Sequence, residues 1–445
     1  MPAGGRIELM APLSTPQTTC PAQPLRILAV TLRYPPYEGG GYELLNRDAV
    51  EELRARGHDV RVLTNRGEQY EGMEHVLPRL EPGLDEHDDV WQSAIFASNL
   101  ERLRLHFFRR KNYQATSRVL AEFEPDVVLY LNMGLLSLAP ILAVRHRDIP
   151  SVAYVADAWP GNHWVRWWRE DSEGSNSKSE QLAALERTWA SFRRHVPIGP
   201  VLACSENLRA ELLREGVPDQ DLSVLPLGML PAMQERAEGS SPSPRSAGEA
   251  LRVLCISHFW EGKGQHHLLE GVAIARAQGV PVKLSLAGSG AGAYRQQLEE
   301  RAHEPDLAGH VKFLGRLAPD DLSVELRRSH VLAMPSVWEE PFGLATIEGM
   351  ANALAVVASD SGASPEIIED GESGLIVPRA NPAALAAAFA RLDADEGFRQ
   401  GLAEQAVERV AGRYTHRHFV DGLEGALRRV AGLEECVGSG AGGGT

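Results

Sequence analysis

Cysteine and long apolar runs are scarce in this sequence. The four cysteines, Cys20, Cys204, Cys255 and Cys436, are scattered and form no CxxC pair. This spacing argues against a structural zinc site and favours a reducing compartment. No apolar run approaches the roughly 18 residues of a membrane-spanning helix, and the N-terminal stretch has no apolar core of signal-peptide length. We therefore expect a cytoplasmic protein with no segment that spans a bilayer.

Positive charge is also in short supply. Lysine and arginine number 45 against 60 aspartates and glutamates, which gives a formal net charge of −15. Proteins that hold nucleic acid through its phosphates need a basic surface, so we expect no nucleic-acid partner. The apolar fraction of 43% is ordinary for a globular protein, and 445 residues predict two or three domains.

The sequence is rich in buried strands that alternate with helices, in two successive runs. The first run begins with a predicted strand, LRILAV (25–30), which is followed by a glycine loop (39–41) and a predicted helix. The next predicted strand is DVRVLT (59–64). The second begins at LRVLCIS (251–257). This alternation predicts an α/β protein with parallel, doubly wound sheets that bind ligand in a cleft between the halves. Further strands are predicted at 125–131, 150–156, 282–288, 311–315, 330–335, 355–359 and 374–378.

Two glutamates stand eight residues apart in PSVWEEPFGLATIEGM (335–350), which follows a predicted strand. Glu340 lies in the loop, and Glu348 lies in a helix that begins near 342–343. A helix start exposes free N–H groups and a positive dipole end, which suits phosphate. A carboxylate further along that helix can accept hydrogen bonds from ribose hydroxyls. The pair therefore indicates a nucleotide-sugar site, and the alternative is an ordinary acidic first turn.

With these segments in order, the chain resembles the GT-B-fold retaining glycosyltransferases of family 4 over about residues 25–430. The resemblance rests on RYPPYEGGGYE (33–43), EGKGQHHLLEG (261–271), LAGSGAGAY (286–294) and the stretch from EEPFGLATIEGM to GLIVP (339–378). It implies transfer of a sugar from a UDP- or GDP-sugar, with retained anomeric configuration. The implied acceptor is a hydroxyl of a sugar, a lipid-linked molecule or a small molecule, and no metal or cofactor takes part.

The segment GSSPSPRSAGE (239–249) is rich in serine, proline and glycine, which predicts an interdomain linker. The resemblance implies what lies on either side of it. An N-terminal Rossmann-like domain would bind the acceptor, and a C-terminal Rossmann-like domain would bind the nucleotide-sugar. A last helix would cross back to the N-terminal domain, between two disordered tails. The expected bounds are 1–23 for the first tail, 24–235, 236–250 for the linker, 251–412, 413–433 for the crossing helix and 434–445.

The same resemblance assigns roles to individual residues. Glu340 would face the donor sugar and Glu348 the ribose, while Lys263 would bind the diphosphate; for Lys263 a solvated lysine is the alternative. Asp157 would be a catalytic residue together with Glu340 and Lys263. The remaining donor-binding residues would be Gly40, Gly41, His258, Gly262, Gly288, Leu314, Phe342, Gly343, Leu344 and Ala345, and the acceptor side would hold Asn132, Trp159 and Trp164.

Two positions depart from the family pattern. His258 replaces an arginine expected five residues before Lys263, and Ala156 replaces a histidine expected before Asp157. We expect His258 to be a charged phosphate ligand, because a neighbouring diphosphate favours the imidazolium; a packed histidine at a strand end is the alternative. Asp157 would take over the hydrogen bonding of the missing histidine, or serve only a loop turn.

Three weaker patterns leave alternatives open. The tryptophan-rich stretch 159–170 is typical of an aromatic acceptor platform or of a helix packed on the core, and 171–180 could form a lid. The basic stretch 101–113 favours peripheral membrane contact or an ordinary surface helix. Asp393 and Asp395 resemble a metal-binding DxD, but their place after an alanine-rich helix predicts a cap.

Two other functions fit the same motifs. A GT-B nucleotide-sugar epimerase or hydrolase would share the fold and the donor site without needing an acceptor. A non-catalytic nucleotide-sugar-binding protein is compatible with the departures at His258 and Ala156.

Overall fold

The computed structural model describes residues 23–433, apart from 37–39, 66–69, 71, 82–107, 134–135, 160–197, 247 and 291. Several predictions fall outside these residues. These predictions concern Trp164, the lid at 171–180, the first part of the basic stretch (101–107) and the two tails. Of the tails, Gln23 alone belongs to the described residues.

Parallel strands form the first sheet, and both of its faces are covered. Among the described residues it has seven strands in the order β3-β2-β1-β4-β5-β6-β7. In β4 and β5 every side chain is buried, as expected where helices cover both faces of a parallel sheet. The strands are β1 (Arg26–Val30), β2 (Asp59–Asn65), β3 (Val76–Leu80), β4 (Val127–Tyr130), β5 (Ser151–Val155), β6 (Val201–Ala203) and β7 (Leu222–Val224). The helices are α1 (Gly41–Ala55), α2 (Arg110–Phe123), α3 (Ala139–Arg145), α4 (Glu206–Arg214) and α5 (Pro231–Ala237).

The second sheet repeats this plan with six described strands in the order β10-β9-β8-β11-β12-β13, again all parallel. The two sheets are those predicted from the alternation of strands and helices. The strands are β8 (Leu251–Ile256), β9 (Val282–Ala287), β10 (Val311–Gly315), β11 (Val331–Met334), β12 (Ala355–Ser359) and β13 (Leu375–Val377). The helices are α6 (Gln265–Ala277), α7 (Ala293–Ala302), α8 (Pro319–Arg328), α9 (Leu344–Ala351), α10 (Ser364–Ile367), α11 (Pro382–Ala394), α12 (Glu396–Arg413) and α13 (His416–Val430).

Three strands of the first sheet were not predicted from the sequence. β6 and β7 have three residues each, which is too short for a periodic pattern. β3 contains Pro78, and proline normally argues against a strand because it cannot donate to a ladder. Since β3 lies at the edge of the sheet, it tolerates this residue.

The chain passes between the two halves twice, and the two passages lie side by side. The first lies between β7 and α5, and the second lies between α12 and α13. The N–H of Met229 donates to the carbonyl of Tyr414 at 2.8 Å. A Cβ on Gly228 would stand only 2.6 Å from the carbonyl oxygen of Thr415. The absence of a side chain at Gly228 therefore allows the two passages to touch.

The last helix, α13, packs on the first sheet although it follows the second in sequence. Its Phe419 ring lies 4.9 Å from the ring of Tyr154 in β5. The guanidinium of Arg56, just after α1, donates to Asp421 at 2.7 Å and to Glu424 at 2.9 Å. Apolar packing and ion pairs thus hold α13 to the first half.

The segment between the halves is bound to the second half by buried charge. Arg399 in α12 is fully buried, and its guanidinium donates to the carbonyl of Ser243 at 2.7 Å and to the carboxylate of Glu396. Arg245 pairs with Asp393, and Asp395 accepts from the N–H of Phe398 at the start of α12. The DxD-like pair is therefore engaged in an ion pair and a helix cap.

Replacing Arg399 by alanine is expected to lower the free energy of unfolding by about 2–4 kcal/mol, because several buried acceptors lose a charged donor. Urea unfolding followed by circular dichroism would measure the change. Arg413→Ala, at the exposed end of the same helix, is the matched control. Equal stability of the two variants would contradict the structural role of Arg399.

Candidate active site between the two sheets

The loop between β11 and α9 carries the two glutamates that the sequence singled out. β11 ends at Met334, and α9 begins at Leu344 after Gly343. Gly343 has φ of 111°, a conformation that residues with a side chain rarely adopt. No side chain of the described residues caps the helix start. The N–H of Thr346 donates to the carbonyl of Gly343, and the N–H groups of Leu344 and Ala345 remain available for an anion.

Lys263 and Glu340 form a close ion pair beside this helix start. The ammonium of Lys263 donates to both carboxylate oxygens of Glu340, at 2.7 and 2.6 Å. Glu340 also accepts from the hydroxyl of Ser336 at 3.1 Å and from the indole N–H of Trp338 at 3.2 Å. Both charged side chains are only about one-sixth exposed, at 15% and 16%. The structure thus brings together the predicted diphosphate lysine and the predicted sugar-facing acid.

Tight backbone contacts fix the turn that carries Lys263. It is a short 3-10 turn, Glu261–Lys263, followed by Gly264 with φ of 69°. A Cβ on Gly264 would lie 1.9 Å from the carbonyl oxygen of Pro335. The carbonyl of Gly262 accepts from the N–H of Val337 at 2.8 Å. Gly262, predicted as a donor-binding residue, therefore joins the lysine turn to the loop of Glu340.

Glu348 is buried inside α9, with 8% of its surface exposed. Burial raises the pKa of its carboxyl to about 7, and the charge of Arg236 opposes this shift. No hydrogen-bond donor to its carboxylate occurs among the described residues. A buried carboxyl without a donor has capacity for hydroxyl groups of a ligand, which is the role predicted for it.

The starts of α1 and α9 approach each other across the cleft. A Cβ on Gly41 would lie 2.6 Å from Cδ1 of Leu344, which shows how close the two helix starts lie. Two positive helix ends then point into the same crevice. Glu43 holds the start of α1 by accepting from the N–H of Gly40 at 2.8 Å and from the amide of Asn132 at 3.3 Å. Asn132, predicted on the acceptor side, thus supports this glycine turn.

Hydrogen bonds between the two halves surround the loop before α9. Two of the residues that form them, Ser205 and Glu366, were not indicated by the sequence. The hydroxyl of Ser205 donates to the carbonyl of Pro341 at 2.6 Å. The carboxylate of Glu366 accepts from the N–H groups of Glu206 and Asn207, at 2.8 and 2.6 Å. Ser205 before α4 has an ordinary capping pattern, and Glu366 carries no sequence signal. Phe342, predicted to contact the donor through its backbone, packs its ring 5.7 Å from that of Tyr414.

The remaining donor-side predictions lie at the carboxyl ends of β8, β9 and β10. His258 is exposed, and its Nδ1 lies 3.3 Å from the hydroxyl of Ser289. Its exposure excludes the alternative of a packed histidine. The N–H of Gly288 donates to the carbonyl of Gly315 at 2.8 Å, which places Leu314 on the neighbouring strand. Leu344 and Ala345 form the first turn of α9.

The acceptor-side predictions receive little support from the geometry. Asp157, after β5, accepts from the N–H of Trp159 at 3.1 Å, a local turn contact. Trp159 is buried in the first core, with 4% exposed, so its ring is not an open platform. Trp164 lies outside the described residues. The acceptor roles of these residues stay predictions.

In the basic stretch, two described charges are used within the protein. Arg109 and Lys111 both pair with Glu81, at 3.4 and 2.9 Å. Phe108 is 45% exposed. Membrane contact through 101–113 stays a prediction. Within the described part of the chain, no helix is both long and apolar enough to cross a bilayer.

Comparison with known protein families agrees with this geometry. The family described as glycosyl transferases group 1 matches residues 238–409, and the glycosyl transferase 4-like domain matches residues 40–228. The chain belongs to the group 1 glycosyltransferases. The two family matches meet near the passage between the halves. The second sheet of this glycosyltransferase falls within the group 1 match, and the first sheet, apart from β1, falls within the 4-like match.

Curated relatives resemble parts of this glycosyltransferase. The phosphatidyl-myo-inositol mannosyltransferase of Mycolicibacterium smegmatis is 34% identical over 183 residues, 41% of this chain and 45% of that protein. The D-inositol 3-phosphate glycosyltransferase of Corynebacterium urealyticum is 36% identical over 178 residues, 39% of this chain and 42% of that protein. The chain thus matches less than half the length of these relatives. The glycogen synthase of Mycobacterium tuberculosis is 25% identical over 403 residues, 87% of this chain and 90% of that protein.

Solved structures confirm the fold class. A glycosyltransferase from Rickettsia africae superposes with a TM-score of 0.67 at 15% identity, over 92% of this chain and 98% of that one. The Anabaena protein HepE, solved in complex with UDP, gives a TM-score of 0.65 at 18% identity, over 91% of this chain and 100% of that one. The group 1 glycosyltransferase described here therefore has the GT-B fold predicted from its sequence.

Proposed function

We propose that this protein transfers a sugar from a nucleoside-diphosphate sugar to a hydroxyl of an acceptor, with retained anomeric configuration. One observation carries the proposal: the Lys263–Glu340 pair lies beside an uncapped helix start. Lysine and helix N–H groups suit a diphosphate, and a carboxylate beside them suits a sugar. The second buried carboxylate, Glu348, supplies an acceptor for ribose hydroxyls.

The donor would reorganise the ion pair. Lys263 would turn from Glu340 to the diphosphate, because two phosphate groups offer more negative charge than one carboxylate. Glu340 would then accept hydrogen bonds from hydroxyls of the donor sugar. The starts of α1 and α9 would add the positive ends of their dipoles on the same diphosphate.

The transfer itself would depend on position and electrostatics. The bond between the sugar C1 and the phosphate oxygen breaks, and the acceptor oxygen bonds to C1 from the same face. The acceptor proton passes to the departing phosphate oxygen, so the charges balance. Lys263 and the helix starts stabilise the negative charge that develops on that oxygen, and the proposal includes no metal ion. Among the described residues, no group of three or more His, Cys, Asp and Glu side chains is placed to hold a metal.

The nature of donor and acceptor is proposed from the relatives. One relative's name specifies GDP-mannose and a phosphatidylinositol monomannoside, and the HepE structures contain UDP or UDP-glucose. We propose a UDP- or GDP-sugar donor. The proposed acceptor is a hydroxyl of a sugar, a lipid-linked molecule or a small molecule.

A two-step experiment tests this function. A thermal-shift screen of UDP, GDP, ADP and TDP would first identify the base, and the matching sugar nucleotides would then be incubated with and without acceptors. Glycosylated acceptor with an unchanged anomeric configuration is the expected product. Conversion of the donor alone would favour an epimerase or hydrolase, and tight binding without any turnover would favour a binding protein. Either result would overturn the proposed transfer.

A further inference from the structure

A second cavity lies on the C-terminal half, next to the turn that carries Lys263. Its volume is about 560 Å³, within the range of cavities that hold small molecules. It is formed by the 3-10 turn, α6, α7 and the loop after β11. Its lining includes Trp260, Glu261, His266, Tyr294, Gln297 and Arg301. Of its lining residues, the sequence analysis gave a role to Gly262, as a donor-binding residue.

An exposed indole ring, that of Trp260, lines this cavity, and a second, that of Trp338, packs against it. Trp260 is 40% exposed and Trp338 is 37% exposed, and their ring centres lie 5.6 Å apart at 64°. A Cβ on Gly262 would lie 2.2 Å from the ring of Trp260, so the outer edge of this ring packs on the backbone of the lysine turn. Packing against the turn and against Trp338 restricts the orientation of the ring. Exposed, oriented aromatic faces of this kind suit the apolar faces of sugar rings.

The charges around the cavity disfavour an anionic ligand. Arg301 is engaged by Glu270 at 2.6 Å and by Asp306 at 2.9 Å. Burial, and then the neighbouring His267, lower the pKa of His266, so this ring is neutral near pH 7. Glu261 adds negative charge at the wall. A phosphate or nucleotide would find no uncommitted cation among the described lining residues.

Several polar groups around the cavity have unused hydrogen-bonding capacity. The hydroxyl of Tyr294 donates to Oε1 of Gln265 at 3.1 Å and lies 2.9 Å from Nδ1 of His266. Because that hydroxyl has only one proton, Nδ1 of His266 must donate and Nε2 is left as an acceptor. The side chains of Glu261 and Gln297 have no hydrogen-bond partner among the described residues. Together with the carboxylate of Glu261, these neutral donors and acceptors match hydroxyl groups.

We infer that this cavity is a binding site for a neutral oligosaccharide, distinct from the donor site. A sugar ring would stack on Trp260, and its hydroxyls would bond to Gln297, Glu261 and His266. The site shares Gly262 and Val337 with the loops around Lys263. A bound chain would therefore contact the back of the lysine turn without entering the donor crevice. The inference does not depend on the transfer proposed above.

Isothermal titration of the full chain with maltohexaose, cellohexaose and mannohexaose tests the inference. At least one hexasaccharide is expected to bind. The variants Trp260→Ala and Gln297→Trp should weaken that binding at least tenfold, because one removes the stacking face and the other fills the cavity. Gln296→Ala is the matched control, since the side chain of this exposed neighbour bonds to Glu300 and Gln296 is not among the residues that line the cavity.

The nucleoside-diphosphate thermal shift of each variant is measured in parallel. Gln297→Trp should keep this shift while losing the oligosaccharide, which separates the cavity from the donor site and also shows that the variant is folded. Absence of binding by all three hexasaccharides would overturn the inference. Equal binding by wild type and Gln297→Trp would overturn it as well, whatever the outcome for sugar transfer.

Discussion

Replacing Lys263 by alanine is expected to lower kcat for sugar transfer by about 10²–10³-fold, the usual effect of removing one group that stabilises a departing anion. Donor affinity should fall about tenfold or more, because a charge-assisted hydrogen bond contributes about 1.5–3 kcal/mol. Steady-state kinetics with the donor identified by the thermal-shift screen would measure both. The control is Lys283→Ala, an exposed lysine in β9 of the same half.

The ion pair with Glu340 makes this prediction sharper. If the pair only held the loop, Lys263→Ala and Glu340→Gln would each lower the Tm, and nucleoside-diphosphate binding would stay unchanged. If Lys263 binds the diphosphate, its loss should reduce the binding of UDP or GDP alone. Glu340→Gln should retain that binding and lose transfer, because Glu340 faces the sugar. Full activity of Lys263→Ala would be incompatible with the proposed mechanism.

The second large effect concerns pH and Glu348. Burial raises the pKa of this carboxyl to about 7, and only the ionised form accepts from both ribose hydroxyls. At pH 6 about nine-tenths of the group is protonated, so nucleoside-diphosphate affinity should fall about tenfold between pH 8 and pH 6. Isothermal titration at several pH values would measure the change. Glu348→Gln should bind the nucleoside diphosphate weakly at every pH and lose the part of the pH dependence that Glu348 causes. Any pH dependence that remains in this variant would come from titration of the phosphates.

The same shift predicts how stability without ligand depends on pH. The folded pKa of about 7 lies above the unfolded value of about 4.3, so the protonated carboxyl favours the folded state. This contribution is complete below about pH 4.3 and is lost as pH rises through 7, by about 4 kcal/mol. Relative to the control Glu372→Gln at an exposed loop position, Glu348→Gln should be more stable at pH 8. An unchanged pH profile in Glu348→Gln would show that the carboxyl is already ionised.

Much of the fold could be predicted because buried parallel strands are continuous apolar runs. LRILAV and AVVAS became β1 and β12 with almost no change of bounds. The short strands β6 and β7 could not be predicted, because three residues do not establish a pattern. Their place in the sheet depends on contacts between distant segments.

The candidate site was predictable as a set of residues and not as a set of contacts. The motifs singled out Lys263 and Glu340, but only the fold shows that these residues, 77 positions apart, touch. The hydrogen bond from Ser205 to Pro341 joins positions 136 apart and leaves no local pattern. The resemblance implied an acceptor-side position for Trp159, yet its side chain is buried. A tryptophan in a sequence reads the same whether its ring is exposed or packed.

The position of α13 constrains how such enzymes can be recombined. Although Phe419 and Asp421 follow the second sheet in sequence, they pack on Tyr154 and Arg56 of the first. A chimaera that exchanges donor specificity should therefore replace the residues from the first passage between the halves to about position 413, and should retain the parental C-terminal helix. Joining the halves at a single boundary would set a foreign α13 against Tyr154 and expose apolar surface along that graft.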